Sequence, residues 1–275
     1  MNYQERLERL TIAISTSESA DMAALGLSNE HLRDAMTEIA RHMLALGAKL
    51  VYGGDLREYG FSELLFELVA RYRRDAHDVD EKADVINYLA WPVHICKEFN
   101  DIRKLADELT GSAELICLAL DGTRISTQER QKLASQSPSE VDWSAGLTAM
   151  RHLTVAETHA RIVLGGRVEH YKGAMPGIAE EVLLSLQEHR PLFLLGGFGG
   201  CARDIAETLG LIAPRAPYQS DWQSRDSFKA FTANDLNNGL TAEENATLAS
   251  TPHIDQAIIL ILRGLLKTAT KNSNQ

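Results

Sequence analysis

The chain has 275 residues, of which 44% are hydrophobic and 24% charged, a composition typical of globular proteins. Its formal net charge of −10 argues against a broad nucleic-acid or acidic-membrane surface. No apolar run approaches the ~20 residues that span a bilayer. The first residues lack the apolar stretch of a signal peptide, so we expect a cytoplasmic protein with no nucleic-acid or membrane partner.

Cysteine and histidine spacing gives no sign of a metal site. Cys96, Cys117 and Cys201 are far apart and odd in number, which fits a reducing compartment and predicts neither a disulfide framework nor a zinc site. None of the nine histidines forms a metal-binding pair. We therefore expect no metal and no required cofactor.

Predicted strands and helices alternate along the chain. The predicted strands are Leu10–Ser17, Ala48–Tyr52, Val85–Ala90, Leu115–Leu120, Arg161–Leu164 and Pro191–Leu195. Helices are predicted after the cap Ser28 and at Phe61–Tyr72, Ile102–Leu109, Ser137–His159, Gly177–His189, Ala202–Leu209 and Ile254–Leu266. This alternation predicts a three-layer α/β fold, Rossmann-like, with a mostly parallel central sheet and extra C-terminal helices.

We expect one nucleotide-binding domain over residues 1–275, with its core at about 10–211. Asp121–Gln136 is polar and reads as a surface excursion. The irregular stretch 212–239 could be a lid, an excursion or an oligomer contact. The apolar run Ile258–Leu262 could belong to the core or could pack against a second subunit of a homo-oligomer.

Three predicted strands end in paired glycines, at Gly53-Gly54, Gly165-Gly166 and Gly196-Gly197. Glycine lets a backbone turn sharply and lets a ligand approach the main chain. Ligands of open parallel sheets bind in the crevice beyond the carboxyl ends of the strands. The three turns therefore predict one pocket of phosphate or nucleotide size.

The densest candidate site follows the second glycine pair and opens a helix. Its members are Gly165, Gly166, Arg167, Lys172, Met175, Pro176, Gly177, Glu180 and Glu181. The helix N-terminus attracts an anion, and the two cations would neutralise phosphate. Each glutamate either complements the helix dipole, or holds ribose hydroxyls or assists cleavage at an anomeric carbon.

The third turn resembles a dinucleotide fingerprint. It comprises Gly196, Gly197, Phe198, Gly199 and Gly200. Gly197, Gly199 and Ala202 satisfy the G-x-G-x-x-A spacing, but the acidic residue expected ~20 positions later is missing. This rejects a standard NAD dehydrogenase. The glycines suit either contact with a phosphate or base, or a tight strand-to-helix turn.

Further polar candidates lie at the same predicted sheet edge. Asp55 could accept a ribose hydroxyl and Arg57 could meet a phosphate, or both are solvated loop charges. Ser15, Thr16 and Ser17 end the first strand, where they are hydroxyl donors for phosphate or simply turn formers.

Together these motifs resemble the SLOG superfamily, which includes the Lonely Guy phosphoribohydrolases and the Smf/DprA proteins. The resemblance covers about residues 10–211 and rests on Tyr52–Arg57, Gly165–Arg167 with Met175–Glu181, and Gly196–Gly200. It is strongest to the prokaryotic, LSDAT-like branch related to the cytosolic domain of TRPM channels. The Lonely Guy motif P-G-G-x-G-T-x-x-E is changed here. Leu164 replaces the proline, Ile178 replaces the threonine, and ten residues separate the glycine pair from Gly177.

The resemblance implies binding or sensing of an NAD-derived nucleotide such as ADP-ribose, a property associated with bacterial defence systems. It also implies an alternative, an N-glycosidic-bond hydrolase that uses Glu181, since that residue takes the position of the family glutamate. Arg151 is only near the position of the family's upstream catalytic arginine. A second alternative is an oligomeric interaction protein with a vestigial pocket.

Overall fold

The computed structural model describes residues 6–54, 56, 60–76, 84–215 and 221–272. Within these ranges the backbone alternates between buried strands and amphipathic helices. No helix in this part of the chain is long and apolar enough to cross a bilayer.

Six parallel strands form one sheet in the order β4-β3-β2-β1-β5-β6. The strands are β1 Thr11–Ser17, β2 Lys49–Tyr52, β3 Val85–Leu89, β4 Ala113–Cys117, β5 Ala160–Gly165 and β6 Leu192–Leu195. The chain winds outward from β1 to β4 and then returns to place β5 on the other side of β1. The order reverses between β1 and β5, and such a reversal opens a crevice at the carboxyl ends of the strands.

Helices cover both faces of the sheet. They are α1 Asn29–Ala45, α2 Phe61–Ala76, α3 Trp91–Ile95, α4 Phe99–Glu108, α5 Thr127–Gln131, α6 Glu140–Glu157, α7 Gly177–Gln187, α8 Gly200–Thr208, α9 Ala242–Ser250 and α10 Ile254–Asn272. Local sequence sets several of the starts. At α1 a capping box joins Ser28 to His31, as the sequence predicts.

Side chains of each strand alternate between two hydrophobic layers. On β5, Ile162 and Leu164 enter the core shared with α1, α2 and α10. Val163 points to the opposite face and packs with α7 and α8. On that same face, the half of the sheet toward β4 packs against α3 and α6. The prediction of a three-layer, Rossmann-like α/β fold is therefore confirmed, and the sheet is wholly parallel.

Three local predictions differ from the structure. β4 begins at Ala113, two residues before the predicted start, and α3 was not predicted. The excursion 121–136 contains α5 and buries Arg130, whose guanidinium donates to His94 Nδ1 at 3.0 Å and to the backbone oxygen of Lys97 at 2.7 Å. These hydrogen bonds satisfy the buried guanidinium of Arg130 and hold the polar segment 121–136 against α3 and the loop that follows it.

The described residues that follow α8 pack against the sheet and its helices. Trp222, Phe228 and Leu236 of the irregular stretch are buried against α8, and two 3-10 helices, Arg225–Ala230 and Ala233–Leu236, form there. In α10, Ile258 and Ile261 enter the main core, whereas Ile259 is 58% exposed. Most of the apolar run at 258–262 thus serves intramolecular packing.

Candidate functional site

A cleft of about 620 Å³ opens where the strand order reverses. The described residues that line it are Ile14, Ser15, Thr16, Ser17, Glu18, Arg33, Tyr52, Gly53, Gly54, Gly60, Phe61, Val93, Trp143, Leu147, Met150, Arg151, Arg167, His170, Tyr171, Lys172, Gly177, Ile178 and Glu181. Most come from the ends of β1 and β2, from one face of α6, and from the β5–α7 loop with the start of α7, and α1, α2 and α3 contribute one residue each. The structure therefore brings the first two glycine turns and the β1 hydroxyls together.

The three hydroxyls at the end of β1 have different surroundings. Ser15 Oγ accepts from Arg161 Nη1 at 2.6 Å, and Ser17 Oγ accepts from the backbone N–H of Arg167 at 3.0 Å. Thr16 Oγ1 is buried and has no hydrogen-bond partner among the described residues. Since an unpaired buried hydroxyl is costly, Thr16 is the residue of the three that a ligand would satisfy.

Gly165 and Gly166 shape the turn without lining the cleft. Both have positive φ, at 65° and 113°, where a side chain is strained. A Cβ on Gly165 would lie 2.6 Å from the backbone oxygen of Ser17, and a Cβ on Gly166 would lie 2.7 Å from Cys201 Cβ. Gly166 also donates its N–H to the Ser17 backbone oxygen at 2.8 Å. These glycines let β5 close tightly against β1 and α8.

Arg151 is the cation at the centre of the cleft. Its Nη1 donates to Glu180, which also accepts from the Thr148 hydroxyl. Its Nε is buried without a hydrogen-bond partner in the part of the chain that the structure describes, and lies 3.9 Å from Glu181 Oε1. Glu180 is itself buried and lies outside the cleft lining. Glu180 therefore orients Arg151 instead of facing a ligand.

Glu181 lines the cleft and joins Arg151 to a second buried arginine. Its Oε2 accepts from Arg161 Nη1 at 3.0 Å. Burial lowers the pKa of the Arg161 guanidinium, an effect that the Glu181 carboxylate opposes. Arg161 also donates to Ser185 at 3.1 Å. A chain of alternating charges therefore runs from Arg161 at the sheet to Glu180.

The first turn of α7 faces the part of the cleft that is lined by Arg151. Its N-cap is Pro176, which lacks a side chain able to cap the helix, and Gly177 follows. A Cβ on Gly177 would lie 2.6 Å from Arg151 Nη2, so only glycine lets the guanidinium approach this closely. Pro176 and Met175 are outside the cleft lining, and Met175 packs toward α8. The helix dipole adds positive potential where Arg151 lies.

The lining is more cationic than the chain. Its described residues include four cations, Arg33, Arg151, Arg167 and Lys172, against two carboxylates, Glu18 and Glu181, in a chain of net charge −10. A cleft with this balance focuses positive potential and favours an anion. Arg167 is exposed, whereas Lys172 Nζ lies over the Trp143 ring, 3.3 Å from its centroid.

Gly53 and Gly54 line the cleft and permit close packing. A Cβ on Gly53 would lie 2.8 Å from Met150 Cε, and one on Gly54 would overlap the Tyr52 ring and the Ser62 hydroxyl. The adjoining candidates Asp55 and Arg57 lie outside the described residues. The first turn thus contributes backbone to the cleft through its two glycines.

The third glycine turn does not enter the cleft, which corrects the prediction that residues 196–200 form its floor. Gly196, Gly197, Phe198, Gly199 and Gly200 are all buried. A Cβ on Gly197 would overlap the backbone oxygen of Thr251, and one on Gly196 would lie 2.7 Å from that of Ala249. The chain after α9 therefore fills the space above this turn.

Asp21 closes the other side of the third turn. Its Oδ1 accepts from the Gly200 N–H at 2.8 Å, and its Oδ2 pairs with Arg215. Arg215 also contacts Asp204 at 2.5 Å. Next to the turn, burial raises the pKa of the Cys201 thiol well above its usual range, so this cysteine packs rather than reacts. The glycines here serve a tight strand-to-helix turn.

Sequence reasoning missed Arg33, Trp143 and the central position of Arg151. One signal was present, since Trp143, Leu147, Met150 and Arg151 recur at helical spacing and share one face of α6. The pattern mixes an aromatic, two apolar residues and a cation, which is unusual for a face that packs only against a core.

One comparison with known proteins identifies the family of this chain. Comparison with curated proteins found no match. A family model described as SLOG cluster2 matches residues 6–248, which includes every element from β1 to most of α9. The chain therefore belongs to the SLOG family, in the group described as SLOG cluster2.

Proposed function

We propose that the cleft binds an anionic nucleotide derived from NAD, of the ADP-ribose kind, and that the protein senses this ligand. The observation that carries the proposal is the pairing of a cationic lining with unpartnered buried donors. Thr16 Oγ1 and Arg151 Nε both lack hydrogen-bond partners among the described residues, and both residues line the cleft. A phosphate oxygen satisfies such donors and offsets their desolvation.

Family membership supports a nucleotide-related ligand, and the cleft supports its position. The uncapped start of α7 and the guanidinium of Arg151 would face one phosphate. The exposed side chain of Arg167 would reach a second phosphate from the β5–α7 loop. A relation to the TRPM-like branch, a role in bacterial defence, a cytoplasmic location and a homo-oligomeric state all remain predictions.

Thermal-shift measurements against a nucleotide panel test the proposal. ADP-ribose, NAD and AMP should raise the midpoint of unfolding, and at one concentration a tighter ligand should raise it more, because a ligand that binds only the folded state stabilises it. Arg167→Ala should reduce that rise without lowering the midpoint of the free protein. Arg41→Ala removes a surface arginine that pairs with Glu38 outside the cleft lining and should leave the rise unchanged. No stabilisation by any adenine nucleotide would overturn the proposal.

A second function is supported by one observation, that the Glu181 carboxylate lines the cleft beside Arg151. This function is hydrolysis of the N-glycosidic bond of a nucleotide. The Glu181 carboxylate would stabilise the positive charge that develops on the anomeric carbon as the bond to the base breaks and water adds to that carbon. Incubation with nucleoside monophosphates or NAD, followed by chromatography, should release free base. Glu181→Gln should abolish the release, and equal release by wild type and variant would reject this function.

A further inference from the structure

The indole of Trp143 presents one ring face to the cleft, and a lysine covers it. Lys172 Nζ lies 3.3 Å from the ring centroid, and both residues line the cleft. Trp143 is half-buried, with its body packed beside α3 and the sheet, whereas Lys172 is exposed. An aromatic face directed at a ligand cleft becomes a stacking surface for a second aromatic ring once the lysine leaves it.

Trp143 and the central arginine lie on the same face of α6. Trp143, Leu147, Met150 and Arg151 all line the cleft. The separation of eight positions between Trp143 and Arg151 corresponds to roughly 12 Å along the helix axis. The cleft therefore has an aromatic end and a charged end, with apolar side chains between them.

We infer that Trp143 is the stacking surface for the base of the nucleotide, and that the base displaces the Lys172 ammonium from the ring. This inference rests on the proposed function and adds to it the position and orientation of the ligand. The base lies at the N-terminal end of α6, and the phosphates lie near Arg151 and the start of α7.

Replacement of the Lys172 ammonium by a base on the ring face of Trp143 is favourable. A base stacked on an aromatic ring contributes more than a cation–π contact made by an exposed lysine. Lys172 regains its hydration or meets the phosphates when it leaves the ring, because its side chain also lines the cleft. In the free protein the lysine covers the ring face that lines the cleft.

Direct binding to wild type and two Trp143 variants tests the inference, with AMP and ribose 5-phosphate as matched probes with and without a base. Trp143→Ala should weaken AMP binding by roughly 5- to 150-fold, the cost of one lost stacking contact. The same variant should bind ribose 5-phosphate as wild type does. Trp143→Phe keeps an aromatic face and should retain most of the affinity for AMP.

Tryptophan fluorescence gives a second readout that does not depend on a destabilised variant. AMP should change the emission of wild type, and this change should disappear in Trp143→Phe although AMP still binds. Ribose 5-phosphate should leave the emission unchanged. If AMP binds wild type and Trp143→Ala equally, or changes the emission of Trp143→Phe as it does that of wild type, the inference is wrong while the proposed function stands. If neither probe nor any nucleotide binds, both fail.

Discussion

Two turns that each contain paired glycines have different surroundings in this protein. The turn after β5, Gly165-Gly166, leads into a cleft where two buried donors lack hydrogen-bond partners among the described residues. The turn after β6, Gly196–Gly200, is buried under α9 and Asp21. Both turns follow a buried strand and precede a helix. Glycine at a strand end therefore shows only that something approaches the backbone closely. Whether a ligand or another part of the chain does so depends on distant sequence.

The topology explains why the first of these turns is open. β5 borders β1 at the point where the strand order reverses, so helices on the two sides diverge there. β6 is the edge strand, and the chain that follows α9 returns across its end. At the covered turn the Gly200 N–H donates to the Asp21 carboxylate, so a part of the chain takes the place that a ligand would occupy. Three variants probe this contrast.

The largest effect is expected at Arg151, which stabilises the fold as well as lining the cleft. Arg151→Ala leaves Glu180 buried without its ion pair, which should lower the free energy of unfolding by about 3–5 kcal/mol. Chemical denaturation measures this loss. Arg41→Ala, which breaks an exposed pair with Glu38, should cost about 1 kcal/mol or less. Equal losses in the two variants would show that Arg151 has no special structural role.

A smaller effect is expected at the covered turn. Gly197→Ala forces a methyl group into the Thr251 backbone, where no flexible side chain can yield, and overpacking of this kind costs about 1–3 kcal/mol. Since Gly197 does not have a positive φ, the loss measures packing and not backbone strain. Calorimetric unfolding would measure it.

Gly210→Ala is the matched control for backbone strain without steric overlap, because Gly210 has φ of 71° and an added Cβ would meet no atom within 4 Å. Any Gly197→Ala protein that folds should respond to nucleotides as wild type does. A Gly197 variant as stable as wild type would mean that this turn is open after all.

The smallest expected change in the free energy of unfolding is at Thr16 in the cleft, and it is a gain instead of a loss. Thr16→Val replaces an unpartnered buried hydroxyl by a methyl group of similar shape, which should leave stability unchanged or raise it by up to about 1 kcal/mol. The same variant should lose part of the nucleotide-dependent stabilisation. A thermal scan with and without ADP-ribose measures both. Destabilisation of the free protein would show that Thr16 already has a partner.

The fold was accessible from sequence because its signals are local. Short apolar runs, glycine turns and caps such as Ser28 predict the strands and helices within a few residues. The β1 hydroxyls and the first two glycine turns also follow from chain order, since the carboxyl ends of parallel strands share an edge.

The remainder of the site depends on contacts between distant residues. Thr251 covers Gly197 from 54 positions away, and Asp21 reaches Gly200 from 179 positions away. No local pattern records either contact. Arg151 was underestimated because matching it to a family motif by spacing ignores that α6 and α7 pack side by side, which brings it to Glu180.

A crystal structure of the protein with ADP-ribose bound tests the central claim most directly. We expect the diphosphate at the β1–β5 edge, in contact with Thr16 Oγ1 and with the guanidinium groups of Arg151 or Arg167. A ligand seated at Gly196–Gly200, or bound elsewhere on the surface with the β1–β5 cleft unchanged, would contradict it.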